Sequence, residues 1–305
     1  MKKFKVGIIG YGNLGKAVEK QIVSSEEFDL IAIFSRRENA NTKDFKDFKD
    51  MDQYIGKIDL MFLCVGSQND LEKVAYNVVK NFNTIDCYDN HNRLRQYIQK
   101  QNQLAIKNKK IALCALGWDP GLFSYMRGLF DSLDLQSCTF WGKGLSQGHT
   151  QAIKNLPNVI DAIQFTVPNN NAKWQVLNGV LPQNTFDLHK RLCYVVCEPQ
   201  YEKQIKKQII TMPDYFADYK TTVKFVTQQE IDKIKTFAHK GEVVAMSGVA
   251  EFKLNLKSNP EFTAKVLVSF ARAVPKLKEA NRYGAFTVFD LPLNLILKKE
   301  KSHFI

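Results

Sequence analysis

Cysteine is sparse in this chain of 305 residues: the six, Cys64, Cys87, Cys114, Cys138, Cys193 and Cys197, include no C-x-x-C pair. The usual paired zinc or redox motif is therefore excluded, and a chain of this length is no small disulfide scaffold. Most of the cysteines have strand-forming neighbours, so buried thiols are expected. No apolar run approaches the roughly 18 residues that a membrane span needs. The start, Met1-Lys2-Lys3-Phe4-Lys5, leads into a Gly-punctuated segment where a signal peptide would stay apolar, so a cytoplasmic protein without membrane contact is expected. There is no internal repeat, Pro-rich tether or low-complexity tract, which excludes solenoids and long flexible linkers. Acid is the charge in short supply: 31 Asp plus Glu against 43 Lys plus Arg leave a formal +12. Such an excess favours anionic partners. The basic residues are scattered, patches such as Lys276, Lys278 and Lys298-Lys299 read as solvated faces, and no nucleic-acid module is present, so nucleic acid is not the expected partner.

Hydrophobic residues make up 45% and charged residues 24%, the balance of a soluble globular chain. Its length exceeds what one core usually organises, which points to two lobes. Apolar runs at residues 4–9, 30–34, 60–65, 84–88 and 111–116 alternate with helical patterns at 16–23 and 71–79. That alternation is the signature of a parallel sheet covered by helices, and ligands of such sheets bind at the carboxyl ends of the strands. Beyond Gly121 the texture changes to longer polar connections and β-patterned runs at 190–197 and 221–226. The fold class expected is α/β, a Rossmann-type doubly wound parallel sheet with a second α+β domain. Residues 1–120 would form the first domain and 121–261 the second. The tail from about 262, with helical spacing over 262–280, would return to the first domain.

Gly10-Tyr11-Gly12-Asn13-Leu14-Gly15 is G-x-G-x-x-G between a predicted strand and a predicted helix. Gly10 permits the tight turn, Gly12 lets backbone N–H groups approach a pyrophosphate, and Gly15 lets the helix close on the strand. An NAD site places Asp or Glu about 20 residues further on, to accept from the ribose 2′-hydroxyl. Here that place is taken by Arg36, between Ser35 and Arg37. Two guanidinium groups and a hydroxyl suit a 2′-phosphate, so NADP is favoured as cofactor. An ordinary solvated strand end is the plainer alternative.

Four further segments are too specific for plain loops: Tyr88-Asp89-Asn90-His91, Gly117-Trp118-Asp119-Pro120-Gly121, residues 140–149 and Met212-Pro213-Asp214-Tyr215-Phe216. With the glycine motif and Ser35-Arg36-Arg37, they make the chain resemble the NADP-dependent meso-diaminopimelate dehydrogenases over nearly its whole length. The resemblance implies oxidative deamination of the D-centre of meso-2,6-diaminopimelate, in diaminopimelate and lysine biosynthesis, by a homodimer formed through the second domain. It implies that Asp89 and Asp119 accept from the reacting amino group, and that Trp141, Gln147 and Gly148 surround the D-centre. Thr166, Arg191 and His239 would clamp the L-centre carboxylate, Arg191 bidentately and His239 through a ring N–H, and Asn259 would be a further ligand of the L-centre. Cys64, Gly66, Ser67, Trp118, Pro120 and Gly121 would join the glycine motif in the cofactor site. Read without the family, Asp89 and Asp119 could cap turns, Trp141 would be core, Thr166 a strand residue, Arg191 a surface charge, His239 a loop histidine and Asn259 part of a turn. No lysine stands out as the general base. Two other readings stay open: another two-lobe oxidoreductase, such as a dihydrodipicolinate reductase or homoserine dehydrogenase, and a sensor that holds NADP without turnover.

Overall fold

Short runs of Ile, Val, Phe and Leu that stop at glycine or at a polar cluster form the strands of a wholly parallel sheet. In the computed structural model, which describes residues 3–35, 45–66 and 70–305, they are β1 (Phe4–Ile9), β2 (Phe28–Phe34), β3 (Phe45–Lys46), β4 (Leu60–Leu63), β5 (Asn83–Asp86) and β6 (Ile111–Leu113). The strands of the second unit are β7 (Ser137–Trp141), β8 (Gly144–Leu145), β9 (Asp161–Pro168), β10 (His189–Val196), β11 (Lys220–Phe225), β12 (His239–Ala245) and β13 (Glu251–Leu256). Near the end of the chain, β14 (Gly284–Phe286) pairs parallel with β6. The helices are α1 (Asn13–Val23), α2 (Leu71–Val78), α3 (Leu94–Lys107), α4 (Leu122–Ser132), α5 (Gln147–Lys154), α6 (Asn170–Leu177), α7 (Glu202–Ile210), α8 (Gln228–Ile234), α9 (Asn259–Ala271) and α10 (Ala273–Glu279). Two units result, Met1–Tyr125 with Pro260–Ile305, and Met126–Asn259.

In the first unit the strand order is β14-β6-β5-β4-β1-β2-β3, so the winding direction reverses between β1 and β4. Helices cover both faces. On one, Ala17, Val18 and Ile22 of α1 and Ala264, Leu267 and Phe270 of α9 pack on Val6, Ile8, Phe62 and Ile85. On the other, Leu71, Ala75 and Val78 of α2 and Tyr97 and Ala105 of α3 pack on Ile9, Met61 and Leu63. Every residue of β4 is buried, as parallel strands between two helical layers must be. Each such side chain contributes about 1.5–3 kcal/mol. This is the doubly wound α/β architecture, and its ligand crevice lies at the carboxyl ends of β1 and β4.

The second unit holds a four-stranded sheet, β11-β10-β9-β8, and a three-stranded sheet, β13-β12-β7. In β10 the alternation of buried and less buried positions puts His189, Arg191, Cys193 and Val195 on one inward face. A charged residue thus occupies a core-facing position. On that face Cys193 and Val195 pack against Ile153, Ile205, Ile209 and Phe216.

Two local expectations differ from the structure. The helical pattern over 262–280 is two helices, because Pro275 has no N–H to donate to Ala271, where α9 ends. The strand expected over 84–88 stops at Asp86, whose carboxylate captures the Tyr88 N–H at 3.0 Å and turns the chain away from the ladder. All six cysteines are free thiols, four buried and two half-buried.

Candidate active site

The glycine turn lies at the switch between β1 and β4. Gly10 has φ of +90°, and a Cβ there would stand 2.8 Å from the Cys64 carbonyl oxygen. A Cβ at Gly15 would stand 2.2 Å from the Gly10 carbonyl oxygen, so only glycine lets α1 approach this closely. At Gly12, by contrast, a Cβ would meet nothing within 4 Å, and the turn is open there. Gly12 caps α1 without a side-chain hydrogen bond, leaving the first-turn N–H groups and the positive helix end to an anion. A cavity of about 510 Å³ lies against them, lined by Gly10, Tyr11, Gly12, Ser35, Cys64 and Gly66 among others. Asn13, Leu14 and Gly15 form the start of α1 behind it. An aromatic wall that no local motif announces completes the lining: Phe34, Phe45 and Phe48 border the cavity, and Tyr11 meets Phe45 edge-on at 4.6 Å. Arg36, Arg37 and Ser67 lie outside the described residues.

Asp89 and Asp119 follow neighbouring strands, β5 and β6. Asp89 is exposed and Asp119 half-buried. Ahead of α4, the Gly117 N–H donates to the Pro120 carbonyl at 2.8 Å. Gly121, with φ of +128°, allows an approach in which a Cβ would fall 2.0 Å from the Gly117 carbonyl oxygen. Trp118 is buried in this turn, edge-on to Phe123 at 5.2 Å, and Pro120 and Gly121 are buried with it.

In the second unit the strand registers put Thr221, Arg191, Thr166 and Gly144 in one row across the four-stranded sheet. An Arg191 terminal nitrogen donates to Thr166 Oγ1 at 2.7 Å, and its guanidinium carbon lies 3.9 Å from the centre of the Tyr219 ring. Arg191 is only 6% exposed, its Nε is buried without a hydrogen-bond partner, and no carboxylate among the described residues pairs with it. A surface charge it is not. Burial lowers its pKa from the ordinary arginine value, but the group remains a cation. A buried cation with an orphaned donor is suited to receive an anion.

Histidines gather around this row. His239 is buried, and its ring fills the space a Gly144 side chain would take, since a Cβ there would come within 2.3 Å of ring carbons. His239 Nδ1 lies 2.8 Å from the Lys240 carbonyl oxygen, which can only accept. The N–H of the neutral ring is therefore committed to the backbone, and Nε2 is the acceptor of this tautomer. His189, which that reading passed over, accepts the Trp141 N–H on Nε2 at 2.8 Å and stacks on the Trp141 ring at 4.7 Å. Only the tertiary pairing reveals it. Gln147 and Gly148 open α5, capped by Ser146, whose hydroxyl lies 2.7 Å from His149 Nδ1. Asn259 opens α9, its N–H donating to the Phe237 carbonyl at 2.8 Å.

Burial, aided by the Arg191 charge, depresses the pKa of both His149 and His189 to about 3. In the unfolded chain each titrates near 6.5. Between those values the unfolded state binds more protons, so stability rises with pH through the window and is fully present above it. The urea midpoint is expected to be lower at pH 5 than at pH 7, and the gap to narrow in His189→Gln. An equal gap in the variant would remove His189 from this account.

The family of diaminopimelic acid dehydrogenase C-terminal domains matches residues 117–264. A meso-diaminopimelate D-dehydrogenase of Ureibacillus thermosphaericus is 39% identical over 317 aligned residues, covering 98% of this chain and 97% of the relative. Among solved structures, the C. glutamicum DAP dehydrogenase in complex with DAP superposes with a TM-score of 0.94 at 36% identity, covering 100% of this chain and 98% of the other. An engineered D-amino acid dehydrogenase bound to NADP+ superposes with a TM-score of 0.91 at 35% identity, covering 99% and 98%. With sequence and fold alike from end to end, this chain belongs to the meso-diaminopimelate D-dehydrogenase family.

Proposed function

We propose that this protein catalyses the reversible NADP-dependent oxidative deamination of the D-centre of meso-2,6-diaminopimelate, within diaminopimelate and lysine biosynthesis. Substrate, NADP+ and water give L-2-amino-6-oxopimelate, ammonia, NADPH and a proton. The observation that carries this reading is Arg191, a buried guanidinium bonded to Thr166 with no carboxylate partner among the described residues. A dicarboxylate held there by its unreactive end leaves the other end for chemistry.

The glycine turn, its open space at Gly12 and the adjoining cavity fit a dinucleotide. Gly10–Gly15, Ser35, Cys64, Gly66 and Ser67 would hold it, with Trp118, Pro120 and Gly121 bordering it and Arg36 and Arg37 on the 2′-phosphate. When bound, NADP+ supplies the hydride acceptor. Asp89 and Asp119 accept hydrogen bonds from the D-centre amino group and orient its carbon. Trp141, Gln147 and Gly148 supply the wall and backbone donors of the D-centre that the family resemblance implies. Thr166 and Arg191 hold the L-centre carboxylate, while His239, with Nε2 as acceptor, and Asn259 take the L-centre ammonium. An L-configured centre placed at the reactive end points its hydrogen elsewhere, so anchoring supplies the stereochemical choice. Homodimer assembly through residues 121–261 and a cytoplasmic location belong to the same proposal, supported by the family resemblance.

The test is NADPH formation with the meso, LL and DD isomers side by side at alkaline pH. The meso isomer is expected to react and the LL isomer to stay inert; equal use of the LL isomer would sink the reading. Gly144→Ala, which displaces the His239 ring, is expected to lower kcat/KM for the meso isomer by about 10²-fold through misplacement of the anchored end. Unchanged kinetics in that variant would detach His239 from the substrate.

A further inference from the structure

We propose that Asp86 is a positioning residue: its buried carboxylate ties the loop that carries Asp89 to the loop that carries Asp119. The inference rests on the reading that those two aspartates meet the reacting amino group.

Asp86 ends β5 and is fully buried. One carboxylate oxygen accepts from two backbone N–H groups on different loops, Tyr88 and Ala115, each at 3.0 Å. The other accepts from the Tyr97 hydroxyl at 2.6 Å. The backbone repeats the link, because the Leu116 N–H donates to the Asp86 carbonyl at 2.9 Å. Ala115 sits at φ of +56°, a left-handed conformation disfavoured for a residue with a Cβ. The hydrogen bond to Asp86 is made by that residue's own N–H, so the carboxylate holds the bend from which the chain runs to Asp119.

The donor Tyr97 is itself fixed. Its ring stacks on Tyr88 at 4.2 Å, and its oxygen accepts from Gln101 Nε2 at 3.3 Å, which aims its hydrogen at Asp86. The Tyr88 hydroxyl donates to Glu72, which pairs with Arg93 at 3.0 Å. No cation among the described residues pairs with Asp86. A carboxylate without a counter-ion is a poor core filler where an apolar side chain would pack. Its three donors come from the two loops and from the helix behind them, which is the arrangement a loop-positioning group requires.

Asp86→Asn keeps the shape but sets an amide N–H against a donor. It is expected to lower kcat by about 10- to 100-fold, with the NADPH dissociation constant, read by fluorescence, within about twofold of the parent. Amide hydrogen exchange should quicken in peptides covering 87–91 and 115–121 and stay unchanged over β1 and α1. Added to an Asp89→Asn, Asp119→Asn background, the change should cost little more, since it acts through those residues. Parental kcat in Asp86→Asn, beside impaired Asp89→Asn and Asp119→Asn, would overturn the proposal alone; so would full additivity, or a matching loss of cofactor affinity. Parental turnover in Asp89→Asn and Asp119→Asn would remove the underlying reading and this inference with it. Should Asp86→Asn fail to fold, Tyr97→Phe, which withdraws one donor, is expected to give the same pattern at smaller size, and parental kcat and exchange there would overturn the proposal.

Discussion

Arg191→Met is expected to reduce kcat/KM for meso-diaminopimelate by about 10²–10³-fold, equivalent to about 3–4 kcal/mol of lost binding in a buried, charge-assisted contact. The NADPH dissociation constant is expected to stay within about twofold, because Arg191 belongs to Met126–Asn259 and the glycine turn to the other unit. A second effect has the opposite sign. Arg191 carries a buried charge with an orphaned Nε, a hydrogen bond to Thr166 and the Tyr219 ring against its guanidinium. Methionine of similar reach removes that desolvation penalty, so the ligand-free variant should melt no lower than the parent. Substrate should raise the melting temperature of the parent but not of the variant. Thermal melts with and without substrate, beside steady-state kinetics, check both. A variant that lost cofactor affinity in step with substrate use, or that substrate still stabilised, would show that the anion is held elsewhere.

How far the sequence reveals this site depends on whether the signal is local. The glycine turn is legible because its constraints arise within six consecutive residues, where a strand must turn and a helix must close on it. The same holds for β1, β4 and α2, whose hydrophobic patterns fall close to the observed elements. Arg191 is different. By pattern it is one charge in a β-like run, and its burial follows only from the pairing of β10 with β9 and the face that pairing turns inward. His189 and Asp86 escaped for the same reason: each acts on a backbone N–H distant in sequence, Trp141 for one and Ala115 for the other. The single helix read over 262–280 fails more simply, through the missing donor of Pro275.

Arg36 and Arg37 lie outside the described residues; in sequence they follow Ser35, which comes directly after β2 and lines the cavity beside the glycine turn. A 2′-phosphate carries close to two negative charges, and hydrogen bonds to charged groups contribute about 1.5–3 kcal/mol each. Replacing both arginines by alanine is therefore expected to raise KM for NADP+ by about 10²–10⁴-fold. NAD+ lacks the phosphate, so its KM should change by less than about threefold. Hydride transfer once the cofactor is bound should be unaffected, which single-turnover kinetics at saturating NADP+ would read directly. The α1 terminus and Gly12, proposed above to meet the pyrophosphate, are untouched by this change. Added salt should weaken NADP+ binding to the parent more than to the variant, because salt screens the attraction between the two guanidinium charges and the phosphate. Equal losses for the two cofactors would mean that the arginines support the fold of this edge rather than the phosphate, and the preference for NADP+ would then have to come from elsewhere in the cavity.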